Sequence, residues 1–193
     1  MIKKIEYKSL VISLGLIVIA SLCYALGTSI LFIASFSSIE NMYLASLITF
    51  MILGFIVLPY TISRNHLREE KYHEVTFDFK QYVVIAIIIF MVNHFFIQSD
   101  EYFHQMIISM CEEFLFRYVI YRMLRRDYNY IVAILLTSIL FGFILHMDYP
   151  IIDNLLIRTP LGILFSIFAT KFGLQYAIAS HWLYNLIVSK ILF

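Results

Sequence analysis

The sequence predicts an all-α fold, a polytopic membrane helical bundle of about seven transmembrane helices, with the chemistry-bearing helices in its C-terminal half. Three observations predict it: 62 % of the residues are hydrophobic, only 14 % are charged, and the apolar residues gather into runs of spanning length without alternation. Soluble domains carry about 45–50 % apolar and about 25 % charged residues. A soluble globule of 193 residues would have too little polar chain to coat this much apolar surface. The net charge of +1 gives no field for nucleic acid. The two cysteines, Cys23 and Cys111, both sit in apolar runs and exclude a disulfide scaffold.

Runs of about 17–25 apolar residues occur at 10–36, 42–63, 81–98, 105–124, 130–147, 155–171 and 174–191. Hydrocarbon offers no water to unpaired amides, so all of them are expected to be helical. A barrel would need an apolar/polar alternation they lack. The first run is long enough to tilt, and the last two meet at Phe172-Gly173, a helix-breaking joint. Met1-Ile2-Lys3-Lys4 before the first run resembles a leader, but the run is too long and no small-residue cleavage site closes it, so a retained span is expected. Leu22 before Cys23 likewise argues against a lipoprotein site. One membrane domain over 1–193 is expected, with N-terminal spans and a polar loop (64–80) in 1–104 and a core over 105–193.

Basic residues orient the spans. With the N-terminus in the cytoplasm, Lys3, Lys4, Lys8, Arg64, Arg68, Lys71, Lys80, Arg122, Arg125, Arg126 and Lys171 all fall on the inner side, whereas the outer turns 37–41, 99–104 and 148–154 hold none. A multi-pass cell-membrane protein is expected, and the abundance of Ile, Phe, Tyr and Lys is consistent with an AT-rich bacterial source. The charged stretch 64–80 reads as a solvated cytoplasmic loop or surface helix, with partner docking as the other reading. Arg158, before Thr159-Pro160, is expected to snorkel from the start of the sixth span while Pro160 shapes its first turn. Asn93-His94, Tyr102 and His104 read as interfacial residues, and Cys111 as a small packing residue.

Charges in mid-membrane cost roughly 2.5–3.5 kcal/mol each, so those that persist are functional candidates. The fourth run contains Glu112-Glu113-Phe114-Leu115-Phe116-Arg117. Glu113 and Arg117 are four apart and share a helix face, acid before base, while Glu112 points about 100° away from Glu113. Arg117 is thus expected to neutralise Glu113 and leave Glu112 free as a proton acceptor. The fifth run ends in Phe141-Gly142-Phe143-Ile144-Leu145-His146, and the seventh places His181 and Asn185 on one face. Counting about 1.5 Å per residue from the outer ends puts Glu112, Asn185, His181 and His146 about 10, 9, 15 and 2 Å deep, within reach of convergence. Acid, imidazoles and carboxamide are the parts of a hydrolytic site.

Glu112-Glu113-x-x-x-Arg117, a Phe-rich run ending in His146, and His181-x-x-x-Asn185, in this order over about 105–193, resemble the CPBP family of type II CAAX prenyl endopeptidases and bacterial Abi-domain (bacteriocin-processing and immunity) proteins. The family usually has Phe-x-x-x-His in the middle motif, where this chain has Gly142 between Phe141 and Phe143. The resemblance implies a glutamate-dependent intramembrane endopeptidase acting on a membrane-associated peptide or protein. It implies that Glu112 and His146 activate water, that His181 and Asn185 stabilise the oxyanion, and that Glu113 with Arg117 sets the electrostatics. Members are described both as metalloproteases and as metal-free enzymes. Zinc, if used, would take Glu112, His146 and His181, although no His-Glu-x-x-His helix is present. A non-catalytic immunity or interaction protein of the same fold, and a proton-coupled transporter, are the competing expectations.

Overall fold

Each of the apolar runs is a helix in the computed structural model, which describes residues 7–33, 39–68, 72–147 and 149–192. The helices are α1 (Lys8–Ile33), α2 (39–68), α3 (Phe79–Ile97), α4 (102–127), α5 (Tyr130–Leu145), α6 (Ile151–Lys171) and α7 (Leu174–Leu192), and no strand occurs among the described residues. The expectations placed on Lys3, Lys4, Glu69, Glu70, Lys71 and Asp148, and on residues 34–38, lie outside the described residues.

Four helices, α1, α2, α3 and α6, are long and apolar enough to cross a membrane by themselves. The other three, α4, α5 and α7, are those that carry the expected site residues. α5 is apolar but short, while the polar side chains of α4 and α7 lower their hydropathy; Glu112, Glu113, Arg117 and His181 are buried in the bundle. α4 is the centre of the assembly: Cys111, Glu113, Leu115, Phe116, Arg117, Val119, Ile120 and Leu124 are all buried. α3 lies at the periphery, with only 11 % of its span buried.

Local signals set the helix ends. Asp78 caps α3 by accepting from the amides of Lys80 and Gln81, and Asn129 caps α5 by accepting from Val132. Gly173, at φ +111°, makes the reversal between α6 and α7 in a backbone region that side chains disfavour. α6 begins at Ile151 rather than Leu155, so Pro160 lies inside the helix. Wide π-type turns over 154–158 accommodate it, since proline has no amide to continue the α-ladder.

The stretch expected as a solvated loop is docked on the bundle. Residues 72–78 form neither helix nor strand and are mostly exposed, as a loop, but Val75 is buried, the Leu174 amide donates to the Thr76 carbonyl, and Glu74 binds Arg125 (3.1 Å) and the Tyr121 hydroxyl. Glu74 thus ties the segment to α4, and the Thr76 carbonyl ties it to α7, at the end of the bundle that carries Lys8, Arg125, Arg126 and Lys171. Of the residues expected at the interface, His94 is exposed, whereas Asn93, Tyr102 and His104 are buried or half-buried against the bundle. Asn93 is buried and brackets Ser99 with two hydrogen bonds, steering the chain into α4. Tyr102 donates to the Ala86 carbonyl, and buried His104 packs on Tyr43.

Candidate active site

At the end of the bundle opposite this basic cluster lies a cavity of about 520 Å³, walled by α4, α5, α6 and α7 together with Ser21 and Tyr24 of α1 and Tyr43, Met51 and Phe55 of α2. Glu112, His146, His181 and Asn185 all line it, so the residues expected to act directly do converge. Glu112 projects from α4 with its Oε2 3.9 Å from His146 Nε2 and 3.8 Å from His181 Nε2. That oxygen is buried and has no hydrogen-bond partner. An orphaned carboxylate oxygen costs free energy unless water or substrate meets it, and a water within ordinary hydrogen-bond reach of all three groups fits these separations.

Glu113 and Arg117 form the support. Arg117 Nε lies 3.1 Å from Glu113 Oε2 with both side chains fully buried, the i, i+4 pair that the spacing predicts. The other oxygen of Glu113 accepts from His181 Nδ1 at 2.8 Å. Because Arg117 keeps Glu113 an acceptor, the hydrogen of that bond belongs to His181, and its Nε2 is turned toward the cavity. Arg117 also donates to the Gly162 carbonyl at 3.1 Å, and its guanidinium stacks 4.5 Å over the Phe141 ring. One buried ion pair thereby links α4 to α5, α6 and α7.

The middle motif is completed by Phe141. Its ring packs edge-on against His146 (5.1 Å) and His181 (5.7 Å), the place that a phenylalanine four residues before the histidine would hold. The one-residue offset follows from the backbone: residues 140–145 take π-type turns bonded i to i+5, so the residue five positions back shares the face that four back has in an α-helix. Gly142 then faces α6. A Cβ there would stand 2.4 Å from Thr159 Oγ1 and 3.0 Å from its backbone nitrogen, so glycine is what lets the two helices approach.

Sequence reasoning missed three residues around His146. Asn154, buried in the first turns of α6, donates to the His146 carbonyl at 2.7 Å and fixes the end of α5. Tyr149 stands edge-on to His146 at 5.9 Å. Arg158 lines the cavity, with its guanidinium 3.5 Å over the ring of Tyr149, a half-exposed residue just before the start of α6. Only Arg158 left a signal, a charge inside an apolar run.

The donors do not suit zinc as they stand. Zinc bonds of about 2.0–2.2 Å at the tetrahedral angle place donors about 3.4 Å apart, whereas Glu112 is 3.8 and 3.9 Å from the two imidazoles. Among the described residues no group of three His, Cys, Asp or Glu side chains is disposed to hold a metal ion.

Seven helices around an acid–imidazole cavity define a multi-pass membrane protein with a built, internal polar site. Residues 102–187 match the model of the family described as type II CAAX prenyl endopeptidase Rce1-like. The match contains all six expected site residues and Arg158, and it bears out the resemblance to the CPBP endopeptidases over that segment. No curated protein and no solved structure matches the chain.

Proposed function

We propose that this protein is an intramembrane endopeptidase that hydrolyses a peptide bond in a membrane-bound or membrane-proximal peptide with a water activated by Glu112 and His146. The observation that carries this reading is the unpartnered Glu112 Oε2 facing the Nε2 atoms of two histidines from separate helices at 3.8–3.9 Å, on the wall of one cavity. Water held there loses a proton to Glu112 as its oxygen attacks the peptide carbonyl carbon. With Glu113 holding its Nδ1–H, His181 carries a second proton on Nε2 in this step and joins the Asn185 carboxamide in donating to the oxygen of the tetrahedral intermediate, where donors contribute most. The proton on Glu112 then passes to the leaving amine as the carbon–nitrogen bond breaks. Glu113 and Arg117 hold His181 and the local charge without touching substrate.

No step uses a metal, because the donor separations favour a water between them over a zinc ion. With the basic end in the cytoplasm, as the positive-inside rule directs, the cavity opens to the opposite face. The immunity reading drew on the small size of the chain and on the departure around Phe141–His146; Phe141 packed against both imidazoles bears on the second of these only.

The test is cleavage of a membrane-anchored reporter peptide in proteoliposomes of the full chain. Glu112→Gln is expected to reduce turnover by about 10²–10⁴-fold, the range for loss of a general base, with the protein still accumulating and melting normally. Unchanged cleavage would remove Glu112 from the chemistry, and with it this mechanism.

A further inference from the structure

Resting on the peptidase reading, we infer that Arg158 is the carboxylate-binding residue of the cavity, holding an anionic group of the peptide beside the bond that is cut. The cavity otherwise meets substrate with a carboxylate, imidazoles, amides, hydroxyls and apolar side chains, and Arg158 is the one cation lining it among the described residues. Arg117 is spoken for by Glu113, whereas Arg158 has no acidic partner among the described residues. Its contact is the face of Tyr149, a stacking that uses none of the N–H donors of the guanidinium fork, and the residue lines the cavity.

Its position is built. Asn154 donates to the carbonyls of His146 (2.7 Å) and Tyr149 (3.4 Å), and Tyr149 in turn carries the guanidinium. The tight approach of α6 to Gly142 sets the register of this turn against α5. Arg158 is therefore tied to His146 through a short chain of contacts, and it lines the same cavity as Glu112 and His146. An uncompensated cation in an apolar setting is costly. A carboxylate matches the planar fork and, desolvated in such a site, binds more strongly than a neutral group. A cavity of about 520 Å³ falls within the ordinary range for small ligands, so it admits a few residues of a peptide end. Two sources share the chemistry, a free C-terminus and an acidic side chain.

The experiment uses three dansylated apolar hexapeptides: one with a free C-terminal carboxylate, one amidated, and one amidated with a single Glu. Binding is measured to the full chain carrying Glu112→Gln, with and without Arg158→Gln, and turnover is measured with Glu112 present. Arg158 is expected to favour a carboxylate-bearing probe over the plain amide by about tenfold or more, the size of one charged hydrogen bond. Arg158→Gln should erase that preference, raising KM for the acid while changing kcat and amide binding little. Arg158→Lys should restore part of it. Preference for the free terminus identifies a C-terminal anchor, and preference for the Glu probe a side-chain anchor. Preference in binding without cleavage would sink the peptidase reading and leave the Arg158 site standing. Equal binding of acid and amide probes, including no binding of either, overturns the proposal. So does an Arg158→Gln effect that follows the phosphatidylglycerol content of the vesicles instead of the probe.

Discussion

Replacing Glu113 by glutamine tests whether one buried charge pair holds the site. The substitution keeps the shape of the side chain and an oxygen able to accept from His181 Nδ1, now 2.8 Å away, but removes the charge 3.1 Å from Arg117 Nε. Both side chains are wholly buried, so the guanidinium would be left uncompensated. Breaking such a pair from one side costs about 3–5 kcal/mol. At about 2–4 °C per kcal/mol for a chain of this size, the melting temperature falls by roughly 6–20 °C. Cys111, buried and two residues away, is a built-in reporter: in a Cys23→Ser background, a thiol-reactive coumarin in detergent reads its exposure on heating. Glu113→Gln combined with Arg117→Met removes both charges, and Gly162 keeps a second donor in the Ser166 hydroxyl at 2.8 Å. The double variant is therefore expected to recover most of the lost stability, because the cost lies in the stranded charge. A single variant within about 1 kcal/mol of the unaltered protein, or a double variant no better than the single, would refute the reasoning.

Phe141→Ala removes the ring that touches His146, His181 and the Arg117 guanidinium; it should cost about 3–5 kcal/mol, and Phe141→Leu less, by the same thermal assay. Gly142→Ala places a methyl group against Thr159, with an expected penalty of about 1–3 kcal/mol. Because that contact sets α6 beside His146, cleavage should fall further than stability alone accounts for, and Thr159→Ala in addition should relieve part of the clash. Preincubation with 1,10-phenanthroline should leave peptide cleavage within about twofold, since the donor separations exceed those of zinc ligands; abolition reversed by added zinc would show a rearranged, metal-bound site.

Much of this protein was legible along the chain because the bilayer allows so few solutions. Apolar runs must be helices where no water can pair their amides, so the helix count and the approximate spans followed from composition. Partnerships within one helix followed from its periodicity: Glu113 and Arg117, four apart, pair as their spacing requires. The Phe172-Gly173 joint followed from the freedom of glycine at positive φ. The polar side chains that make α4 and α7 poor spans by hydropathy were themselves a clue to the site.

Tertiary structure decided what lies between helices. Periodicity cannot register one helix against another, so only the packed bundle brings His146 at the end of α5 and His181 inside α7 to the same oxygen of Glu112. It also seats Arg158 on Tyr149 and pairs Glu74 of the 72–78 segment with Arg125 of α4, contacts between residues too far apart in sequence for periodicity to foresee. The wide turns of 140–145 shift the aromatic partner of His146 by one residue. A motif written for an ideal α-helix reads a mismatch there, and the folded backbone closes the contact.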